Sequence, residues 1–281
     1  MADDNRATAP RPVLELGPQP APMGVWLKEI VAYRGVTGIL ARKDFQVRYK
    51  RASFGLLWAV ILPLLQAVVF VVIFSRIGRF NHTSFNYPAY VLAGTLSWTY
   101  FNSTAGSATT SIVDGSTLTD KVWFPRSVLV LVPAISNLFG LVTSMVVLII
   151  AMPIVHARIT WHLILLLPAM LWLVTLVVGF GLVASACHVY FRDVKFIVQA
   201  GLLVLFYLTP IVYPASALRT IGPWLAYNPL TGIIGLFQLA SAGPFGPIQR
   251  ALVISLASTV VLLGVGVEVH RRLDRLFVDQ L

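Results

Sequence analysis

Residues able to do acid–base, nucleophilic or metal chemistry are scarce in this 281-residue chain. The acids beside its apolar runs are Asp114, Asp120, Asp193 and Glu268. General acid–base catalysis needs a titratable group poised within reach of a reacting proton, usually with a second such group beside it. Only Glu268, close to His270, has such a neighbour, and that pair reads as a solvated helix end. Cys187 and His188 are adjacent metal-ligand types, but a site takes three or four ligands. No others lie near in sequence, so the pair reads as local structure and no metal is expected. The chain has no G-x-x-x-x-G-K-[ST] phosphate loop; the dipeptide Gly-Lys never occurs, so ATP has no usual cradle here. No catalytic residue is assigned. The remaining chemistry is that of docking. The stretch Asp120-Lys121-Val122-Trp123-Phe124-Pro125-Arg126-Ser127, "DKVWFPRS", sets two aromatics, a proline and a cluster of charges between two long apolar runs.

The elements that must position this stretch are membrane helices. Hydrophobic residues make up 57% of the chain and charged residues 11%, against about 25% charged in soluble domains. Mean hydropathy is +0.81. A transmembrane helix needs about 20 apolar residues, and six candidates occur at 57–74, 89–110, 128–155, 163–187, 196–212 and 251–267. None contains Asp, Glu, Lys, Arg or His, so none offers the intramembrane ion or proton site of an ion-driven transporter. The fifth is short and is open to extension across Pro210. A seventh run, "LAYNPLTGIIGLFQLA", carries an Asn-Pro and two glycines. It has too few apolar residues to span, so it reads as a re-entrant segment within 214–245.

Charge sets the orientation. With six spans and the N-terminus inside, 16 of the 21 Lys and Arg lie on the inner side, with all 11 acids. Were the seventh run a span, Arg271, Arg272 and Arg275 would lie outside and the inner share would fall. The positive-inside rule therefore favours six spans with both termini cytoplasmic. The net charge of +10 concentrates beside spans, which argues against nucleic acid as partner. Residues 1–24, rich in Pro and Ala and lacking a signal-like apolar run, read as a disordered cytoplasmic tail. The membrane domain is then 25–281. The single cysteine excludes an intrachain disulfide.

Three inner segments stand at the surface. In 25–51, Trp26, Leu27, Ile30 and Val31 have helical i, i+3, i+4 spacing. This predicts an amphipathic interface helix, interrupted at Gly35 and Gly38, that serves either as a bilayer anchor or as a partner contact. In the second, Thr117-Leu118-Thr119-Asp120 has a capping-box form and Pro125 disfavours helix at Phe124. The two predict a short helix from Leu118 to about Trp123. Its aromatics suit either the membrane interface or a pocket on a partner. The third, 190–195, is too short to dock much. Among the spans, the second is polar for a lipid-facing helix: "WTYFNST" begins at Trp98, and Ser107, Thr109 and Thr110 follow. Part of it should face protein or water. Trp98, Tyr100, Phe101 and Ser103 there, with Tyr207 and Tyr213 on the fifth span, are candidates to line a conduit. Interfacial anchoring and close helix packing are the alternatives.

Taken together, "RKDFQVRYKRASFGLLWAVILPL", "KVWFPRS", "YFRDVKFIVQAGLLVLFYLTPIVYP" and "YNPLTGII" resemble, in this order, the membrane subunits of polysaccharide-exporting ABC transporters, a family of O-antigen, teichoic acid and galactan exporters. The likeness covers about 25–277. It implies a permease for a lipopolysaccharide-type or other cell-surface glycan, carried on a polyprenyl lipid and exported across the inner or plasma membrane. It implies a homodimer with two copies of a separate ATP-binding subunit, which holds the ATP and Mg; no cofactor belongs to this chain. It assigns 118–123 to a coupling helix and Leu118, Asp120, Lys121, Val122, Trp123, Phe124, Pro125 and Arg126 to the ATPase-coupling loop. Many members have Leu-Gly where this chain has Phe54-Gly55, at a loop near the inner mouth. An ABC exporter of lipids or drugs is the nearest rival. A membrane-bound glycan-modifying enzyme, which would need a polar catalytic pair, and a passive pore or scaffold are the others.

Overall fold

A computed structural model describes residues 22–49, 57–77, 85–119, 124–218 and 220–273. The expected tail, Phe54, Gly55 and Asp120–Trp123 of the docking stretch lie outside the described residues. The described chain is helical: α1 (Met23–Ala32), α2 (Arg34–Tyr49), α3 (Trp58–Ile77), α4 (Tyr87–Asp114), α5 (Ser116–Thr119), α6 (Ser127–Ile154), α7 (Leu166–Tyr190), α8 (Val194–Leu208), α9 (Gly222–Leu225), α10 (Thr231–Ala242) and α11 (Gln249–Leu273), with 3-10 turns at Trp161–Leu165 and Ala215–Ala217. Three stretches are long and apolar enough to cross a bilayer: Ser127–Ile154, Trp161–Tyr190 and Gln249–Leu273. Val60–Arg76 and Val194–Leu208 are shorter apolar helices. The fifth candidate does not extend across Pro210: α8 ends at Leu208, and Thr209 is extended, as the residue before proline tends to be.

α4 is the hub of the bundle, packing against α3, α6, α7, α8 and α10. Its polarity follows from that position. Ser97 and Thr109 are buried, and each donates to the carbonyl four residues back, Ala93 (2.8 Å) and Ala105 (2.7 Å). A hydroxyl satisfied in this way sits in a core without an orphaned polar group. The helix is capped at Asn86, whose side chain accepts from the Ala89 amide (3.0 Å) and donates to the Val155 carbonyl (2.8 Å). One amide thus starts α4 and ties it to the end of α6.

α10 has 12 residues, about 18 Å at 1.5 Å per residue, too short to cross a hydrocarbon core of about 30 Å. It is buried almost throughout and packs on α4, α7 and α11. α7 and α11 meet through small residues: a Cβ built on Gly179 would stand 2.8 Å from the Leu263 amide nitrogen, and one on Gly266 2.7 Å from the Leu182 Cβ. Dispersion between closely approached backbones is what holds helices together in lipid. Gly179→Ala should therefore destabilise the protein by about 1–3 kcal/mol. Gly140→Ala, where the new methyl meets nothing within 4 Å, should leave the detergent unfolding midpoint unchanged. Equal midpoints for the two variants would show that this crossing is not close-packed.

The amphipathic segment differs from expectation. It breaks at Tyr33, between α1 and α2, and Gly35 and Gly38 both lie within α2. Tolerance of glycine inside a helix reflects tertiary support, which α2 receives from α6. The short helix also shifts: α5 begins at Ser116, not Leu118, and Thr119 donates to the Ser116 carbonyl at 2.8 Å.

Candidate functional site: a polar track on the central helix

The outward face of α4 carries polar side chains one above another. Thr99, Asn102, Ser103, Ser107 and Thr110 are exposed or half-buried. At 1.5 Å per residue they make a track about 16 Å long. Its upper part is the floor of a groove of about 360 Å³ between α3 and α8, lined by Gln66, Phe70, Trp98, Thr99, Asn102, Phe206 and Tyr207. Counted along their helices from the end where α5 lies, Gln66, Asn102 and Tyr207 stand roughly 12–20 Å in; were these helices spans, that would be well inside a hydrocarbon core of about 30 Å. Amides exposed at that depth to lipid would each cost several kcal/mol. A face of this kind suits water, a polar ligand or another protein surface.

The sequence-derived conduit residues divide. Trp98 is 6% exposed and lines the groove at its edge, while Tyr207, 65% exposed, stands in its wall. Ser103 is exposed beside Asn102. Tyr100 and Phe101 instead turn into the protomer. Tyr100 donates to the Ala134 carbonyl (3.0 Å), and the Phe101 ring lies 6.0 Å from that of Phe180. The reason is rotational: α4 is enclosed on most sides, so only one narrow face is outward, and those two residues are not on it. Tyr213 is half-buried and donates to the Tyr207 carbonyl. Gln66 and Asn102 were not singled out from the sequence. The available signal was an amide inside the apolar run "LLQAVV".

Below the groove the track meets α2. Arg48 donates to Asp44 (3.0 Å), Asn137 (3.3 Å) and Ser107 (3.2 Å), and Ser136 donates to the same Asp44 carboxylate. Asn137 in turn donates to Thr104 (3.1 Å), and Phe45 meets Phe139 edge-on at 5.1 Å. Arg48 and Asp44 at the end of the amphipathic segment are thus turned onto α4 and α6. Arg48→Leu should free it: amide exchange of α2 should rise roughly five- to tenfold, the factor that about 1–1.4 kcal/mol represents, while α7 stays protected. Unchanged exchange would mean the ion pair holds nothing.

The described end of the docking stretch, from Phe124 on, is seated on the same segment. Phe124 is 4% exposed and packs with Val128 and Leu129 against Tyr33, Leu40 and Leu118. Pro125 is buried, and Arg126 immediately precedes α6. Phe124 is thus no free plug for a partner pocket but the joint between 118–126 and the α1–α2 segment. The Glu268–His270 pair is no dyad: Glu268 accepts from Arg271 and Arg272, and His270 is fully buried, its Nε2 3.0 Å from the Leu182 carbonyl oxygen.

The family model for ABC-2 type transporters matches residues 36–240. The chain is 29% identical over 240 residues to the O-antigen export system permease protein RfbA of Myxococcus xanthus, covering 84% of this chain and 92% of that protein. It is 28% identical over 207 residues to the RfbA permease of Klebsiella pneumoniae, covering 70% and 76%. With three apolar helices of spanning length and a family match over most of its length, the chain is a multi-pass membrane protein and belongs to the ABC-2 type transporter family.

Proposed function

We propose that this chain is the permease subunit of an ATP-driven exporter that moves a polyprenyl-linked cell-surface polysaccharide out of the cytoplasm. The observation that carries the reading is the track on α4 with the groove above it. A glycan offers hydroxyls that need hydrogen bonds and C–H faces that pack on aromatic rings. Gln66, Asn102 and Thr99 supply the first requirement; Phe70, Trp98, Phe206 and Tyr207 supply the second. No described Asp, Glu, Lys or Arg lines the groove, so a neutral sugar chain would meet no fixed charge to hold it back. The relatives named as O-antigen export permeases support this cargo.

In this reading two copies face each other across their grooves, and two ATP-binding subunits sit at the α5 end. Six spans with both termini cytoplasmic suit the charge distribution, with α3, α4 and α8 as the shorter or more polar spans and α10 as the buried re-entrant element. ATP binding draws the partner subunits together. The push reaches the bundle through 118–126 and is shared with α2 through Phe124, so the segment beside the polar track moves with the docking surface.

The test is to purify the protein from its own membrane in mild detergent, identify what co-purifies and assay ATP hydrolysis. An ATPase at equal stoichiometry, together with a lipid-linked glycan accumulating in cells that lack this chain, is the expected result. Absence of any ATPase under conditions that keep the homodimer would end the docking argument. A reporter fused after Leu281 that proved external would end the six-span topology.

A further inference from the structure

At the end of the bundle opposite α5, a second cavity of about 610 Å³ opens between the start of α11, the α9–α10 segment and the turn after α8. This lies within the range of small-molecule sites, which are apolar pockets with a few convergent polar groups. Its walls are built by a stiff loop. In Gly243-Pro244-Phe245-Gly246-Pro247 both glycines have positive φ, +85° and +143°, which a residue with a Cβ rarely adopts. The flanking prolines fix the backbone on either side. The loop holds the Phe245 ring 5.1 Å from that of Tyr90, at 80°.

Gln238 lines this cavity and is fully buried. Its Nε2 donates to the Pro210 (2.9 Å) and Ile211 (3.4 Å) carbonyls. Two acceptors on one side settle which end of the amide is the oxygen. That oxygen, Oε1, has no hydrogen-bond partner among the described residues. A buried acceptor left unpaired is costly, so an occupant that brings a donor is favoured. Arg250 at the rim lies over the Tyr227 ring, 4.6 Å from its centroid, and no carboxylate among the described residues lines the cavity.

We infer that this cavity is a saccharide-binding subsite on the exit side, taking one or two sugar units of the emerging chain. A sugar presents a hydroxyl to Gln238 and a C–H face to Phe245. A hydrocarbon tail would fill the apolar walls but leave the amide oxygen unpaired. The inference rests on the export reading, which supplies both the glycan and the outward side.

The test is saturation-transfer NMR on the full chain in nanodiscs. The probes are methyl glycosides of mannose, galactose, rhamnose and N-acetylglucosamine. At least one should receive saturation from the wild type. Ser216→Trp, which fills the cavity from an exposed lining position, should cut that signal at least tenfold. Gln238→Met should weaken it, whereas Val261→Trp, at an exposed position on α11 that lines neither this cavity nor the groove, should not. No signal with any glycoside, or a signal indifferent to Ser216→Trp, would overturn the inference. So would a co-purified phospholipid that Ser216→Trp displaces. If the protein still co-purifies with an ATPase in that case, the export reading stands and only the subsite falls.

Discussion

Phe124→Asp should abolish glycan export while the chain still accumulates in the membrane. Insertion is decided by long apolar stretches such as Ser127–Ile154 and Gln249–Leu273, which this substitution leaves intact. The local damage is large. Phe124 is 4% exposed among Val128, Leu129, Tyr33, Leu40 and Leu118, and removing a buried phenyl ring alone costs about 3–5 kcal/mol. A carboxylate at the same place must either stay charged without a partner or take up a proton. Both outcomes unseat 118–126 from α2, so motion at the docking surface no longer reaches the helix beside the polar track. Phe124→Leu, which keeps an apolar side chain of similar reach, should retain most export. Export in cells and chain abundance in isolated membranes are the two readings. Normal export by Phe124→Asp at wild-type abundance would show that this joint transmits nothing.

Asn102→Trp should lower export at least tenfold without lowering the unfolding midpoint. Asn102 is exposed on the floor of the α3–α8 groove, so the larger ring projects into the track and displaces no core residue. Asn102→Ser, which keeps a hydrogen-bonding group and opens space, should export normally. Gln66→Leu should fall between the two, since it removes an amide from the wall but adds little bulk. Full export by Asn102→Trp would move the conduit away from α4 altogether, and the polar face would then have to be explained by contact between protomers.

The helical plan was largely legible because its cause is local. Apolar length and the absence of charge depend on neighbouring residues alone, so the expected 89–110, 128–155 and 251–267 fall within a few residues of α4, α6 and α11. The polarity of α4 was legible too, and its buried hydroxyls, Ser97, Thr104 and Thr109, face protein. Its rotation was not legible. Trp98, Tyr100, Phe101, Asn102 and Ser103 differ by only a turn and a half of helix. Which of them faces outward depends on where α3, α6, α7, α8 and α10 stand, and those positions are settled by contacts over long sequence separations.

The docking stretch divides in the same way. Composition marked "DKVWFPRS" as a surface unlike an ordinary loop, and it left two fates open for the aromatic pair. Phe124 is buried because α1 and α2, some 80 to 100 residues earlier in the chain, fold back and supply Tyr33 and Leu40. No local pattern encodes that meeting. By itself, then, the sequence determined that this is a helical membrane protein with its basic residues gathered beside the apolar runs and a distinctive loop between two of them, since hydropathy and charge act residue by residue. Only the tertiary structure decided that Arg48 and Asp44 reach the hydroxyls of α4 and α6, that Gln66 and Asn102 share one groove, and that Phe124 is a joint, because each depends on helices brought side by side by packing.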